Sequence, residues 1–147
     1  MRPAHGRAGA PIEPPATVRE TGPMTGTPTE TDPTFDRRPW GTFQVLDEGD
    51  TFKAKRLTVD PGQRLSYQFH NRRAEHWVVV VGVAHVTLDD VVHEVRAGQH
   101  IEIGQGVKHR VENRGDGPMA LIEVQTGDYF GEDDIVRLDD DYGRQDA

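Results

Sequence analysis

From Trp40 onward, apolar and polar residues alternate with a period of two, the pattern of half-buried strands rather than of helices. It predicts strands over 42–46, 52–59 and 64–69. The run from Glu75 to Val81 is nearly all β-formers and reads as the most buried strand. Shorter strands follow over 84–88, 91–96, 100–103, 108–112 and 120–125. Turn chemistry separates them: Asp47-Glu48-Gly49-Asp50, Asp60-Pro61-Gly62, Gly82, Asp89-Asp90, Ala97-Gly98 and a loop over 113–118. No segment carries a helical apolar stripe. Many short strands at this spacing predict an all-β sandwich or barrel, and the lack of a fixed repeat excludes propellers and solenoids.

The amino-terminal residues break this pattern. Residues 1–34 hold seven of the ten prolines and show no apolar periodicity, so burial cannot offset the entropy of ordering them. They are expected to be a disordered tail, with Met24 a candidate translation start, and residues 35–144 to be the single folding unit. The chain has 147 residues with net charge −8, most of it in an acidic carboxy-terminal segment, 128–147, where eight acids face Arg137 and Arg144. No basic face survives, which argues against a nucleic-acid partner. No apolar run is long enough for a membrane span and no signal-peptide core is visible, so a cytoplasmic location is expected. Zero cysteines exclude disulfides, thiolate zinc sites and cysteine nucleophiles.

Two spacings carry the chemistry. Gly62 is followed at fixed intervals by Gln68, His70, Glu75 and Gly82, and Gly98 by Gly104, Gly106, His109 and Asn113. The pair resembles the two signature motifs of the cupin superfamily, with Gln68 in place of the first histidine and Gly104 in place of the proline. The resemblance implies a double-stranded β-helix, or jelly-roll barrel. The spacing also has a physical reading: residues 68 and 70 leave one face of one strand, Glu75 returns on the next, and His109 arrives from a later one. Two imidazoles, a carboxylate and an amide oxygen suit one divalent ion, zinc foremost, with manganese, iron or cobalt as alternatives. The alternative is a metal-free site in which these residues bond one another. His5, His85, His93 and His100 fall outside the pattern and read as surface or satisfied side chains.

RPWG at 38–41, LSYQFHNRRAEHW at 65–77, KHRVEN at 108–113 and IEVQTGDYFGEDDIVRLDDDYGR at 122–144 are more specific. Together they resemble the carboxy-terminal cupin domain of type II mannose-6-phosphate isomerases, commonly the second half of bifunctional phosphomannose isomerase/mannose-1-phosphate guanylyltransferase proteins. That resemblance implies a metal-dependent interconversion of mannose 6-phosphate and fructose 6-phosphate through an enediol. Gln68, His70, Glu75 and His109 would be the ligands, and Arg73 and His76 match positions that look catalytic in the family. Strict alternation would turn His76 away from Glu75, so a cavity-facing His76 requires the strand to begin only after it. Lys53, Lys55 and Arg64 are candidates for the phosphate, and Arg110 for a further substrate contact. Where the family has a histidine-rich run, this chain has Asn71-Arg72 before Arg73. The nucleotidyltransferase domain is absent from these residues. A sugar-binding or regulatory cupin that assists a separate guanylyltransferase is the second reading, and a cupin dioxygenase the third. A homodimer through an exposed sheet edge is expected. Deleting residues 1–34 should leave the melting temperature unchanged, and a loss of several degrees in a thermal melt would make the tail part of the fold.

Overall fold

A computed structural model describes residues 34–144, so the expectations for the tail and for Met24 lie outside the described residues. Eleven strands run in chain order as β1 (Phe35–Arg38), β2 (Gly41–Glu48), β3 (Phe52–Val59), β4 (Tyr67–Phe69), β5 (Arg73–Val81), β6 (Val83–Leu88), β7 (Val91–Arg96), β8 (His100–Ile103), β9 (His109–Glu112), β10 (Met119–Gly127) and β11 (Val136–Asp139). A 3-10 turn at Glu132–Asp134 precedes β11. They form two antiparallel sheets, ordered β1-β2-β3-β10-β5-β8 and β11-β4-β9-β6-β7. The all-β expectation holds.

Three boundaries differ from the sequence reading. β5 starts at Arg73 rather than at Glu75. The predicted 64–69 strand shrinks to Tyr67–Phe69, with Arg64 touching the sheet only through an isolated bridge to Glu112. β1 and β11 were not expected at all. Both are short edge strands rich in charge, where alternation carries little apolar signal.

The register of three strands decides where the site lies. β10 pairs with β3 on one side and β5 on the other, and its cross-strand rows read Leu57–Leu121–Val79, Lys55–Glu123–Trp77 and Lys53–Gln125–Glu75. Cross-strand partners point to the same face. The rows therefore pass from wholly apolar to wholly polar along the strands. The apolar end joins Val59, Val86, Val111, Ile103 and Met119 in the core between the sheets. The polar end has no apolar partner and must satisfy itself. Trp77 marks the border: its ring is buried in the core, and its indole N–H donates to Glu75 at 3.0 Å and to Glu123 at 3.2 Å.

Gly127 closes β10 opposite Arg73 at φ +155, and a Cβ there would collide with the Arg72 carbonyl oxygen. Asn113 bonds the Val59 and Gly117 carbonyls and accepts from Gly115 N–H, holding the 113–118 loop to the core. Leu121 is fully buried in the apolar row. Leu121→Ala should cost about 2–5 kcal/mol in urea denaturation.

Candidate metal centre

At the polar end, three side chains converge: His70 follows β4, Glu75 lies in β5 and His109 opens β9. All are buried, and their ligand atoms lie within 4.8 Å of one another. Each imidazole is anchored through Nδ1. His109 Nδ1 lies 2.8 Å from the Val107 carbonyl, and His70 Nδ1 lies 3.3 Å from the Asp134 carbonyl. A carbonyl only accepts, so each Nδ1 carries the hydrogen and each Nε2 presents a lone pair. Both Nε2 atoms face the same carboxylate. His70 Nε2 is 3.1 Å from one Glu75 oxygen, and His109 Nε2 is 3.6 Å from the other. His109 Nε2 has no hydrogen-bond partner.

Acceptors facing acceptors in a buried site call for a cation, and a two-imidazole, one-carboxylate donor set fits a borderline divalent ion. His70, Glu75 and His109 could hold it. Burial lowers the His109 pKa against the pull of Glu75, which keeps its ring neutral as a ligand must be. Burial opposes charge on Glu75 as well. Donation from the Arg73 guanidinium and the Trp77 indole N–H supports the charged carboxylate. Gln68 pairs directly with His109 across β4 and β9, so its side chain shares that face. Its Oε1 accepts from Ser66 Oγ at 2.8 Å and keeps a second lone pair free.

Arg73 encloses the centre. Its guanidinium donates to Glu75 at 3.1 Å and to the Phe130 carbonyl at 3.5 Å, and lies 3.3 Å from His70 Nε2. Asp134, within the acidic segment, accepts from the Asn71 and Arg72 N–H groups while its own carbonyl meets His70. The turn that delivers His70 and Arg73 is thus fixed by the chain's far end.

A pocket opens beside the centre and is lined by Gln68, Arg73, Trp77, Lys55 and Glu123, with Gln125 among the other lining residues. Glu123 is fully enclosed. Burial, then the charge of Glu75 and the bond shared with it, push its pKa up to about 8 despite Lys55 and Arg73 nearby. Gln125 donates to its other oxygen at 3.1 Å. Burial likewise lowers the pKa of Lys55, against the pull of Glu123, and its ammonium sits 4.7 Å from the centre of the Phe43 ring.

The structure brings together His70, Arg73, Glu75 and His109, with Gln68 alongside, and separates others expected to join them. His76 is a correction. Because β5 begins at Arg73, His76 points to the outer face, where it meets Glu102 at 3.5 Å and the His100 ring at 5.5 Å. Arg64 is also turned away: its guanidinium forks onto Asp141 at 2.7 and 2.8 Å. Arg110 alternates with the inward His109 and lies behind the sheet, bonded to the Leu65 carbonyl and to Asp139. Lys53 lies outside the pocket lining, 4.0 Å from Glu48, so of the four expected substrate cations Lys55 alone lines it. Sequence reasoning missed Glu123, Gln125 and Asp134. Glu123 had a legible signal, since it alternates with the apolar Leu121 on the inward face of its strand.

Two facing antiparallel sheets with a two-histidine, one-carboxylate centre between them define a cupin. Solved structures of that fold are similar: a Klebsiella pneumoniae protein with a double-stranded β-helix domain at TM-score 0.56, 22% identical, covering 60% of this chain and 77% of its own. The capsular polysaccharide assembling protein CapF of Staphylococcus aureus aligns at TM-score 0.61, 22% identical, over 71% of this chain and 34% of its own. The chain belongs to the family described as mannose-6-phosphate isomerase C-terminal, which it matches over residues 30–140. It is similar to the xanthan biosynthesis protein XanB of Xanthomonas campestris, 53% identical over 73% of this chain. The mannose-1-phosphate guanylyltransferase of Escherichia coli and the alginate biosynthesis protein AlgA of Pseudomonas aeruginosa are each 50% identical over the same share. The chain spans only 23% of XanB and 22% of the other two. Among the described residues no helix is long and apolar enough to cross a membrane.

His109→Ala should sharply lower the metal bound per chain, measured by elemental analysis of the purified protein, because one of two imidazole ligands is lost. Equal metal content in the two proteins would remove His109 from the centre.

Proposed function

We propose that the chain is a metal-dependent isomerase that interconverts mannose 6-phosphate and fructose 6-phosphate through an enediol. The observation that carries this reading is the pair of imidazole nitrogens turned to one buried carboxylate, beside a pocket lined by cations, in a chain of this family. Gln68, His70, Glu75 and His109 would hold the ion, zinc foremost, with manganese, iron or cobalt as alternatives. The ion would polarise the sugar oxygens at C1 and C2 and so acidify the adjacent C–H.

The protein's own groups would do the rest. Of the two pocket carboxyl groups Glu132 is paired with Arg38, and Glu123 would take the proton from C2 and return it to C1. Lys55, two strand positions from the apolar Leu57 and paired with Glu123 across the strands, supplies positive charge on the same wall. Arg73, held in place by Glu75 and the Phe130 carbonyl, would offset the negative charge that develops on the enediol oxygens. Trp77 walls the floor and keeps water from it. A phosphorylated metabolite as substrate would favour a cytoplasmic location. Among the described residues β7 and β8 form one edge each of the two sheets, and pairing of such edges with a second copy would give a homodimer.

The names of the relatives favour one other reading, a sugar-binding domain that accompanies a mannose-1-phosphate guanylyltransferase. A single experiment separates the two. Metal-loaded protein incubated with mannose 6-phosphate in deuterated water should exchange the C2 proton, followed by NMR. Glu123→Gln should retain metal and lose at least about 100-fold in exchange rate. A metal-loaded wild type that exchanges no C2 proton of any hexose 6-phosphate would reject the isomerase and leave the binding domain.

A further inference from the structure

The pocket wall does not share the charge of the chain. In a protein of net charge −8, the pocket is lined by Arg38, Lys55, Arg73, Arg137 and Arg144 against only Glu123 and Glu132. Such a wall is built for an anion. Most of these cations are already committed. Arg38 bonds Glu132 at 2.8 Å and Asp36 at 3.1 Å. Arg144 closes on Asp140 through its backbone N–H and two side-chain nitrogens. Arg73 is held by Glu75, and Lys55 packs over Phe43 beside Glu123.

Arg137 stands apart. Its Nε is buried without a hydrogen-bond partner, and no acid pairs with its guanidinium among the described residues. A buried N–H donor of a permanent cation left unpaired is costly unless a ligand takes it up. Its position is set by two registers. Arg137 on β11 pairs with Gln68 on β4, and Gln68 pairs with His109 on β9. The three side chains form a row on the inward face, running from the metal centre to the edge of the sheet. Two strand spacings put the ends of this row about 10 Å apart. A hexose whose reacting carbons sit at one end of a six-carbon chain and whose anionic group sits at the other fits that span.

We infer that Arg137 is the anchor for the phosphate group of the substrate, with Gln68 between it and the reacting end of the sugar. This assignment rests on the sugar-phosphate reading above, and it replaces Lys53 and Arg64 in that role. A guanidinium presents paired donors that match two phosphate oxygens, and a lysine in its place would supply charge without the fork.

Calorimetric titration of the full chain tests it, with mannose 6-phosphate, mannose and inorganic phosphate as probes. Wild type should bind mannose 6-phosphate more tightly than mannose, and should bind inorganic phosphate competitively with it. Arg137→Ala should weaken both phosphorylated probes by about 10- to 100-fold and leave mannose and metal content unchanged. Arg137→Lys keeps the charge and the aliphatic stem on this edge strand, so it covers the case in which the alanine variant unfolds. It should recover part of the affinity. Arg114→Ala removes an equal charge from an exposed residue outside the pocket and should change nothing. Unchanged phosphate affinity in the folded Arg137 variants, or an equal loss in Arg114→Ala, would overturn the assignment. A wild type that binds mannose 6-phosphate through Arg137 yet exchanges no C2 proton would reject the isomerase and support the anchor. Normal exchange with unchanged KM in Arg137→Ala would do the reverse.

Discussion

The ionised carboxylate of Glu75, buried between two sheets, is the constraint around which this end of the molecule is arranged. Burying a charge is prohibitive unless it is surrounded by matching groups. Arg73 and Trp77 donate to it, Glu123 shares a bond with it, and two imidazoles face it. Each of these partners must then be placed by its own element. Arg73 requires the strand to start early, Trp77 requires the core beneath it, and His109 requires the Val107 carbonyl behind its ring. The polar rows of β3, β10 and β5 exist because one charge needs all of them at once.

What could be read from the sequence follows from how local each signal is. The strands that bury one face, such as β3, β5 and β10, alternate strongly and are legible to within a few residues. β1 and β11 are not, because edge strands such as Val136–Asp139 carry charge on both faces. His70, Glu75 and His109 are legible because their spacing reflects strand geometry directly. Arg110 could have been excluded by the same rule, since it alternates with the inward His109. Arg64 could not. Its parity with Gln68 holds only if the chain stays in one strand from 64 to 68, and the structure breaks that strand. Arg137 gains its meaning from register across strands far apart in sequence, which no local pattern encodes.

The family and the centre point to the same chemistry from different directions. The relatives share about half their residues with this chain over a stretch that makes up less than a quarter of their own length. Within that stretch Arg73 both encloses the donor set and lines the neighbouring cation-lined pocket. The departures at Asn71 and Arg72 sit on the turn before Arg73. There their backbone N–H groups bond Asp134, and the Arg72 side chain faces outward to Asp128. They alter the outside of the turn and leave its inner residues in place.

The carboxy-terminal segment is joined to the body through the short pairing of β11 with β4, through Asp134 on the 70–73 turn, and through side-chain bonds such as Asp141 to Arg64 and Tyr142 to Gln63. Edge attachments of this kind open locally at far lower free energy than the whole domain unfolds. Such an opening would remove Arg137 from the pocket and Asp134 from the His70 turn together, while the apolar rows stayed closed. Entry and exit of a ligand therefore need no motion of the barrel itself. The segment that completes the pocket can thus leave it without disturbing the apolar rows beneath.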